Sequence, residues 1–175
     1  MISVASVAMR LCAGALSLSL LLPTTAPAAE PQPAPGPDAA ANQAELECLA
    51  KAVYFEARGE PLDGQRAVAE VILNRVDNPR FPETVCGVVS QGGRGGCQFS
   101  YHCSGRSQAI REQGAYSRAL RVAASALAGR PRTLTDGATY FHTRAVRPSW
   151  SQRFVRTAQI GHHIFYRPGQ RLAMR

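Results

Sequence analysis

From Leu49 to Glu60 the chain reads L-A-K-A-V-Y-F-E-A-R-G-E, and this stretch leaves little choice of local structure. Together with Leu46, the residues Leu49, Val53, Glu56 and Glu60 fall on one stripe, in alternating steps of three and four. That alternation predicts an amphipathic helix with its apolar stripe against a core. Glu56 then sits where the buried stripe ends, about one turn from Gly59, which is expected to stop the helix. Partial desolvation and the negative end of the helix dipole both disfavour the charged carboxylate and raise its pKa. A carboxylic acid that keeps its proton near neutral pH is what a general acid for glycosidic cleavage needs. The plainer alternative is a solvated Glu at a helix end. Glu60, past the glycine, reads as a surface or supporting carboxylate.

At 175 residues the chain can bury one core, and one domain is expected. Residues 1–29 hold a single charge, Arg10, then an apolar run from Leu11 to Leu22 and P-T-T-A-P-A-A. This predicts a secretory signal cleaved near residues 28–29, after the small residues Ala26 and Ala28, with Met9 the more ordinary start. The run is short for a span, so an uncleaved anchor is the lesser alternative and the only membrane contact expected. Cys12 precedes the run, against a lipoprotein site. The next segment, E-P-Q-P-A-P-G-P-D, predicts a stiff extended tether. The expected layout is a signal at 1–29, a Pro-rich tether at 30–42, a catalytic domain at 43–168 opened by an Asn42 N-cap, and a tail at 169–175.

Cys48, Cys86, Cys97 and Cys103 remain after such processing, an even count that predicts two disulfides and an oxidising compartment. Four thiols allow three pairings. Cys97–Cys103, closing a short loop, and Cys48–Cys86, tying the first helix to the later chain, are favoured, though spacing alone does not fix them. Zinc is the rival use of these thiols, but no C-x2-C or H-x3-H pair is present. Neither metal nor cofactor is expected.

Charge divides the chain. From residue 101 onward there are thirteen Arg against Glu112 and Asp136, a balance of +11, whereas residues 30–100 carry six bases and ten acids, −4. A basic half suggests an anionic polymer as partner. Export points to envelope material rather than nucleic acid, with a merely solvated basic face as the alternative.

Pro61 and the spacing in A-V-A-E-V-I-L predict a second helix over Gln65 to Val76. D-N-P-R-F-P is a turn, and Thr84 to Ser90 reads equally as short helix or strand. Q-G-G-R-G-G, from Gln91 to Gly96, is a flexible cleft lip without the G-K-[ST] of a phosphate loop. A third helix is expected from about Gln108 to Ala128, then strands over Ala138 to His142 and Ile160 to Tyr166. Helices first and short strands after them give α+β.

Seven pieces in order then resemble the SleB/CwlJ-type cell-wall hydrolases: L-A-x-A-V-Y-F-E-A-R-G-E (49–60), G-Q-x-A-V-A-x-V-I-L-N-R-V (64–76), F-P-x-T-V-C-G-V-V (81–89), C-Q-F-S (97–100), G-A-T-Y-F-H (137–142), P-S-W (148–150) and I-G-x-H-x-F-Y (160–166). The likeness covers about Cys48 to Tyr166. It implies a lysozyme-like α+β fold, mainly helical with a small antiparallel β element. It also implies peptidoglycan as substrate and Glu56 as the catalytic acid. The implied reaction is that of a lytic transglycosylase, in which the muramic 6-hydroxyl attacks its own anomeric carbon and leaves a 1,6-anhydro end. Two positions depart from the family pattern: Glu70, where a small or neutral residue is expected, and His142, where some relatives carry Asn.

A hydrolase with two carboxylates needs a partner for Glu56. Glu60, Asp63, Glu70 and Asp136 are the candidates, none in an obvious catalytic context, and that scarcity suits a one-acid mechanism. Gln98, Phe99 and Ser100 are candidate sugar contacts, as are the aromatics Tyr140, His142 and Trp150; a buried turn and core packing are the alternatives. His163 reads as a core histidine, Asn74 and Arg75 as braces behind the cleft, and Arg58 as structural. The expectation is a monomeric exported enzyme of the periplasm or cell envelope. Its rivals are a plain muramidase, a non-catalytic wall-binding module, and a metal-dependent amidase using His102, His142, His162 or His163.

Overall fold

Pro37 opens the longest helix, at a first-turn position where its missing N–H forfeits no hydrogen bond. The computed structural model describes residues 36–93, 96–105 and 107–169; the expected signal, the tether up to residue 35 and the tail from 170 lie outside them. Helix α1 (Pro37–Ala57) therefore starts ahead of the expected Asn42 cap and takes in the end of the Pro-rich segment. Of the expected stripe Leu49 and Val53 are fully buried and Leu46 and Glu56 partly so; Ala50, Ala52, Tyr54 and Ala57 are also at most 2% exposed, so the buried face is wider than the stripe. Gly59 has no left-handed φ, and Arg58 remains right-handed helical. Pro61 ends the helix instead, because a residue before proline is driven out of the α region.

Helix α2 (Leu62–Val76) is buried on two sides. Val68, Ala69 and Ile72 join the core made by α1, α3 (Val85–Ser90) and α5 (Gln113–Leu127). Ala67 and Val71 turn the other way, onto Ala138 and Phe165. So α2 is the shared wall between the helical body and the sheet, which is why its apolar residues spread around the helix rather than forming one stripe.

Thr84 caps α3 by accepting from the Gly87 N–H at 3.0 Å, which settles the open segment as helix. Glu45 of α1 accepts from the Val85 and Cys86 N–H groups at 2.6 and 3.2 Å, and Cys48–Cys86 staples the same two helices with Cα atoms 5.2 Å apart. A small hairpin, β1 (Gly92–Gly93) and β2 (Gly96–Cys97), leads into α4 (Ser100–Cys103). Cys97–Cys103 closes that segment, Cα to Cα 6.0 Å. Both pairings are the favoured ones.

α5 starts at Gln113, not near Gln108. The Tyr54 hydroxyl accepts from the Arg111 and Glu112 N–H groups at 3.3 and 3.2 Å, holding residues 108–112 as a strap across α1.

The sheet has three antiparallel strands in the order β3-β5-β4: β3 (Tyr140–Thr143), β4 (Phe154–Ile160) and β5 (His163–Pro168). The strand expected over 160–166 is in fact the end of β4, a turn at Gly161 (φ 58°) and His162, and most of β5. β4 itself was not foreseen: Arg156 breaks its apolar content, and its register shifts between Arg156 and Ala158. Among the described residues no helix is long and apolar enough to cross a membrane. The fold is α+β, mainly helical.

Candidate active site

Glu56 is the next-to-last residue of α1, at the mouth of an open cleft of about 970 Å³. One wall is the end of α1, with Phe55 and Arg58. The other is α4 and the strap, with Ser100, Tyr101, Ser107, Arg111 and Glu112. Burial pushes the Glu56 carboxyl up to about 7, and the positive charge of Arg75 offsets only part of that rise. The helix stripe thus delivers a carboxylic acid that holds its proton near neutrality.

Arg75, on the last turn of α2, is only 3% exposed. Its Nε donates to the Thr139 carbonyl at 2.7 Å, and its guanidinium carbon lies 5.3 to 5.5 Å from the ring centres of Phe81, Phe99 and Tyr140. Burial lowers its pKa to about 10, while Tyr140 and Glu56 pull it back up, so it stays charged at neutral pH. Nη1 is buried without a hydrogen-bond partner among the described residues. This is a desolvated cation held by aromatic faces, tied to Glu56 through its charge.

Tyr101 stacks on Phe55 with ring centres 4.6 Å apart. Its hydroxyl is buried and also has no hydrogen-bond partner among the described residues. Burial, and then the Glu56 charge, push its pKa above the usual phenol value, so it is a donor at any physiological pH. Glu112 is the other carboxylate in the cleft wall and pairs with Arg58 Nε at 2.9 Å.

The expected sugar contacts separate. Ser100 lines the Glu56 cleft. Gln98 is exposed, its backbone N–H bonded to the Gln91 carbonyl. Phe99 is 1% exposed and lies beneath the Arg75 guanidinium, so its face is covered. Tyr140, His142 and Trp150 form an aromatic cluster on the sheet with Phe154 and Tyr166, ring centres 4.8 to 5.6 Å apart. His142 is buried, its Nδ1 2.8 Å from the Thr143 carbonyl and its Nε2 3.1 Å from the Tyr166 hydroxyl. Tyr140 links the cluster to Arg75, whose charge acts on Glu56.

Glu70 is buried, with its carboxylate accepting from the Leu134 and Thr135 N–H groups and the Thr135 hydroxyl at 3.0 to 3.2 Å. It fastens the loop before β3 to α2. Glu60 does the same for the β4–β5 turn, accepting from the His162 N–H at 2.9 Å and facing its Nδ1 at 3.0 Å. His163 is buried beside Phe141, and burial lowers its pKa. Among the described residues no three His, Cys, Asp or Glu gather closely enough to hold a metal ion.

Tyr101 and Glu112 were missed in the sequence. Tyr101 is placed by α4 and its stack on Phe55, and Glu112 by the strap, whose residues 108–112 the sequence assigns to the third helix although Tyr54 holds Arg111 and Glu112 ahead of it.

The sequence comparisons give the class. Residues 59–166, more than half of the chain, match the Cell Wall Hydrolase family, and the chain belongs to it. The match opens just after Glu56. A spore cortex-lytic enzyme of Halalkalibacterium halodurans is 36% identical over 122 residues, which cover 69% of this chain and 34% of that enzyme. The chain thus spans about a third of that relative's length. The Bacillus subtilis spore cortex-lytic enzyme is 58% identical over 45 residues, 26% of this chain and 15% of that enzyme. Among solved structures, the catalytic domain of the germination-specific lytic transglycosylase SleB from Bacillus anthracis superposes with a TM-score of 0.58 at 33% identity, over 71% of this chain and 95% of that one. The catalytic domain of the Bacillus cereus SleB protein gives 0.55 at 32%, over 71% and 91%.

Proposed function

We propose that this chain cuts the glycan strands of peptidoglycan between N-acetylmuramic acid and N-acetylglucosamine, as a lytic transglycosylase with Glu56 as acid and then base. One observation carries the reading: a carboxyl raised to about 7 by burial at the mouth of an open cleft. Near pH 7 about half the molecules hold the proton. Protonated Glu56 gives that proton to the glycosidic oxygen as its bond to the muramic C1 breaks. The resulting carboxylate takes the proton of the muramic 6-hydroxyl as that oxygen bonds to C1. The products are a free 4-hydroxyl and a 1,6-anhydro ring, no water is consumed, and Glu56 ends protonated. Arg75 opposes the cost of the intermediate carboxylate. The four acids the sequence offered as partners support one-acid chemistry, since Glu60, Glu70, Asp63 and Asp136 are engaged by His162, the Leu134–Thr135 backbone, Arg66 and Arg167.

Glu112 favours a second reading. It lines the same cleft and could activate a water, giving a reducing muramic end as a plain muramidase does. Glu56→Gln should fold and release no soluble muropeptides from purified sacculi, a loss of at least about 10²-fold. Mass spectrometry of wild-type products, one water lighter for anhydro ends, separates the two readings. Export by the 1–29 segment, a periplasmic or envelope location and a monomeric state belong to the same proposal. Two disulfides suit that compartment.

A further inference from the structure

A second cavity, of about 260 Å³, lies between α2, α5 and the loop after α5, and none of its lining residues is shared with the Glu56 cleft. Five arginines line it: Arg66, Arg118, Arg121, Arg130 and Arg132. Arg66 pairs with Asp63, and Arg132 pairs with Asp77. Among the described residues Arg118, Arg121 and Arg130 have no carboxylate partner. The cavity's one acid, Glu70, points its oxygens at the Leu134 and Thr135 N–H groups. Positive charge therefore exceeds negative charge around the opening.

The wall between these charges is apolar, made by Leu62, Val122, Ala126 and Pro131. Leu62 is left 48% exposed at the rim. A bare anion would use the arginines and waste this wall; a purely apolar group would leave the arginines unanswered. The occupant that satisfies both is an anion on a small apolar body. At about 260 Å³ the cavity has room for a terminal residue with its carboxylate. Guanidinium groups match a carboxylate with two parallel hydrogen bonds.

We propose that this cavity binds the carboxyl terminus of a peptide ending in a small apolar residue, as the D-alanyl end of a peptidoglycan stem peptide does. The identity of that peptide rests on the function proposed above. Its capture holds the stem to one side of the enzyme while the glycan strand lies in the Glu56 cleft.

The test measures fluorescence anisotropy of a soluble D-alanyl-D-alanine-terminated stem pentapeptide, labelled at its amino end, with the full chain. Wild type should bind saturably. Arg118→Gln with Arg121→Gln should weaken binding by about tenfold or more, and so should Leu62→Asp, which puts a carboxylate at the rim. Absence of saturable binding to wild type, or equal binding to both variants, overturns the proposal. Equal binding of the peptide with an amidated terminus overturns it too, as does displacement by inorganic phosphate at equal concentration. Digestion of sacculi, run in parallel, reads the catalytic function: a chain that binds the peptide and cuts nothing removes that function and leaves this site standing.

Discussion

At Glu56 the protein gives up stability to hold a useful proton. Its carboxyl is raised to about 7 in the folded chain from an ordinary 4.5, with burial the main cause. Below pH 4.5 both folded and unfolded chains hold the proton and nothing is lost. Between 4.5 and 7 the unfolded chain releases it first, so folding stability falls as pH rises through that window. Glu56→Gln should therefore stabilise the fold at pH 8 but not at pH 4, by about 2 kcal/mol after discounting for partial exposure. Thermal unfolding of the two proteins at both pH values checks this. Arg75 acts in the opposite sense. Arg75→Met should push the Glu56 proton-loss limb of the activity profile to higher pH, and Arg75→Lys should keep it near wild type. A purely structural arginine would lower activity in both variants without moving the profile. The stripe that ends in Glu56 can be read in the sequence because helix spacing is local. Arg75 reads in the sequence only as a brace behind the cleft; its place as the cation beside Glu56 does not, because it is set by packing three rings, Phe81, Phe99 and Tyr140, each from a different segment.

The elements are held together by carboxylates that the sequence shows only as charged residues. Glu60 joins the α1–α2 turn to the β4–β5 turn through His162, and Gly161 is what lets it do so. A Cβ at Gly161 would stand 1.9 Å from Glu60 Oε2, and the residue's φ of 58° is already unfavourable for a side chain. Gly161→Ala is expected to destabilise the fold by about 2 to 4 kcal/mol, read by denaturant unfolding. Burial alone would raise the Glu60 pKa, but the His162 backbone and ring hydrogen bonds outweigh it, with His163 and His162 charge adding to them, and hold it below the ordinary value. Its stabilising share is thus present above pH 4.5 and lost as acid protonates the folded carboxylate. Glu60→Gln should flatten the loss of stability in that acidic range. Helices α1 and α2 were legible from periodicity. The true starts of α1 and α5 were not, since Pro37 is tolerated in a first turn and Tyr54 withholds two N–H groups from α5. β4 was hidden because its sequence, F-V-R-T-A-Q-I, interrupts the alternation with a bulge.

The whole molecule is a helical body and a sheet sharing α2, and Cys48–Cys86 crosses the helical body over a separation of 38 residues. Removing that disulfide should cost about 4 kcal/mol, against about 2 for Cys97–Cys103 with its separation of 6. The second pair closes the segment carrying Ser100 and Tyr101, so Cys97→Ser with Cys103→Ser should lower activity more than stability. Measuring both quantities on each double variant separates the staple from the cleft wall. Charge acts at this scale as well. The excess of +11 from residue 101 onward was plain in the sequence, but that four of its arginines, Arg118, Arg121, Arg130 and Arg132, meet Arg66 of α2 around one cavity was not, because they come from a helix and a loop distant in sequence from Arg66. If sacculi attract this face, the attraction is screened as the Debye length falls from about 8 Å at 0.15 M salt to about 3 Å at 1 M. Glu56 is half-buried, so the cleavage step is shielded from that screening. Raising salt should therefore raise KM for sacculi severalfold and leave kcat nearly unchanged. A fall in kcat at constant KM would place the salt effect in the cleft instead, at the Arg58–Glu112 pair.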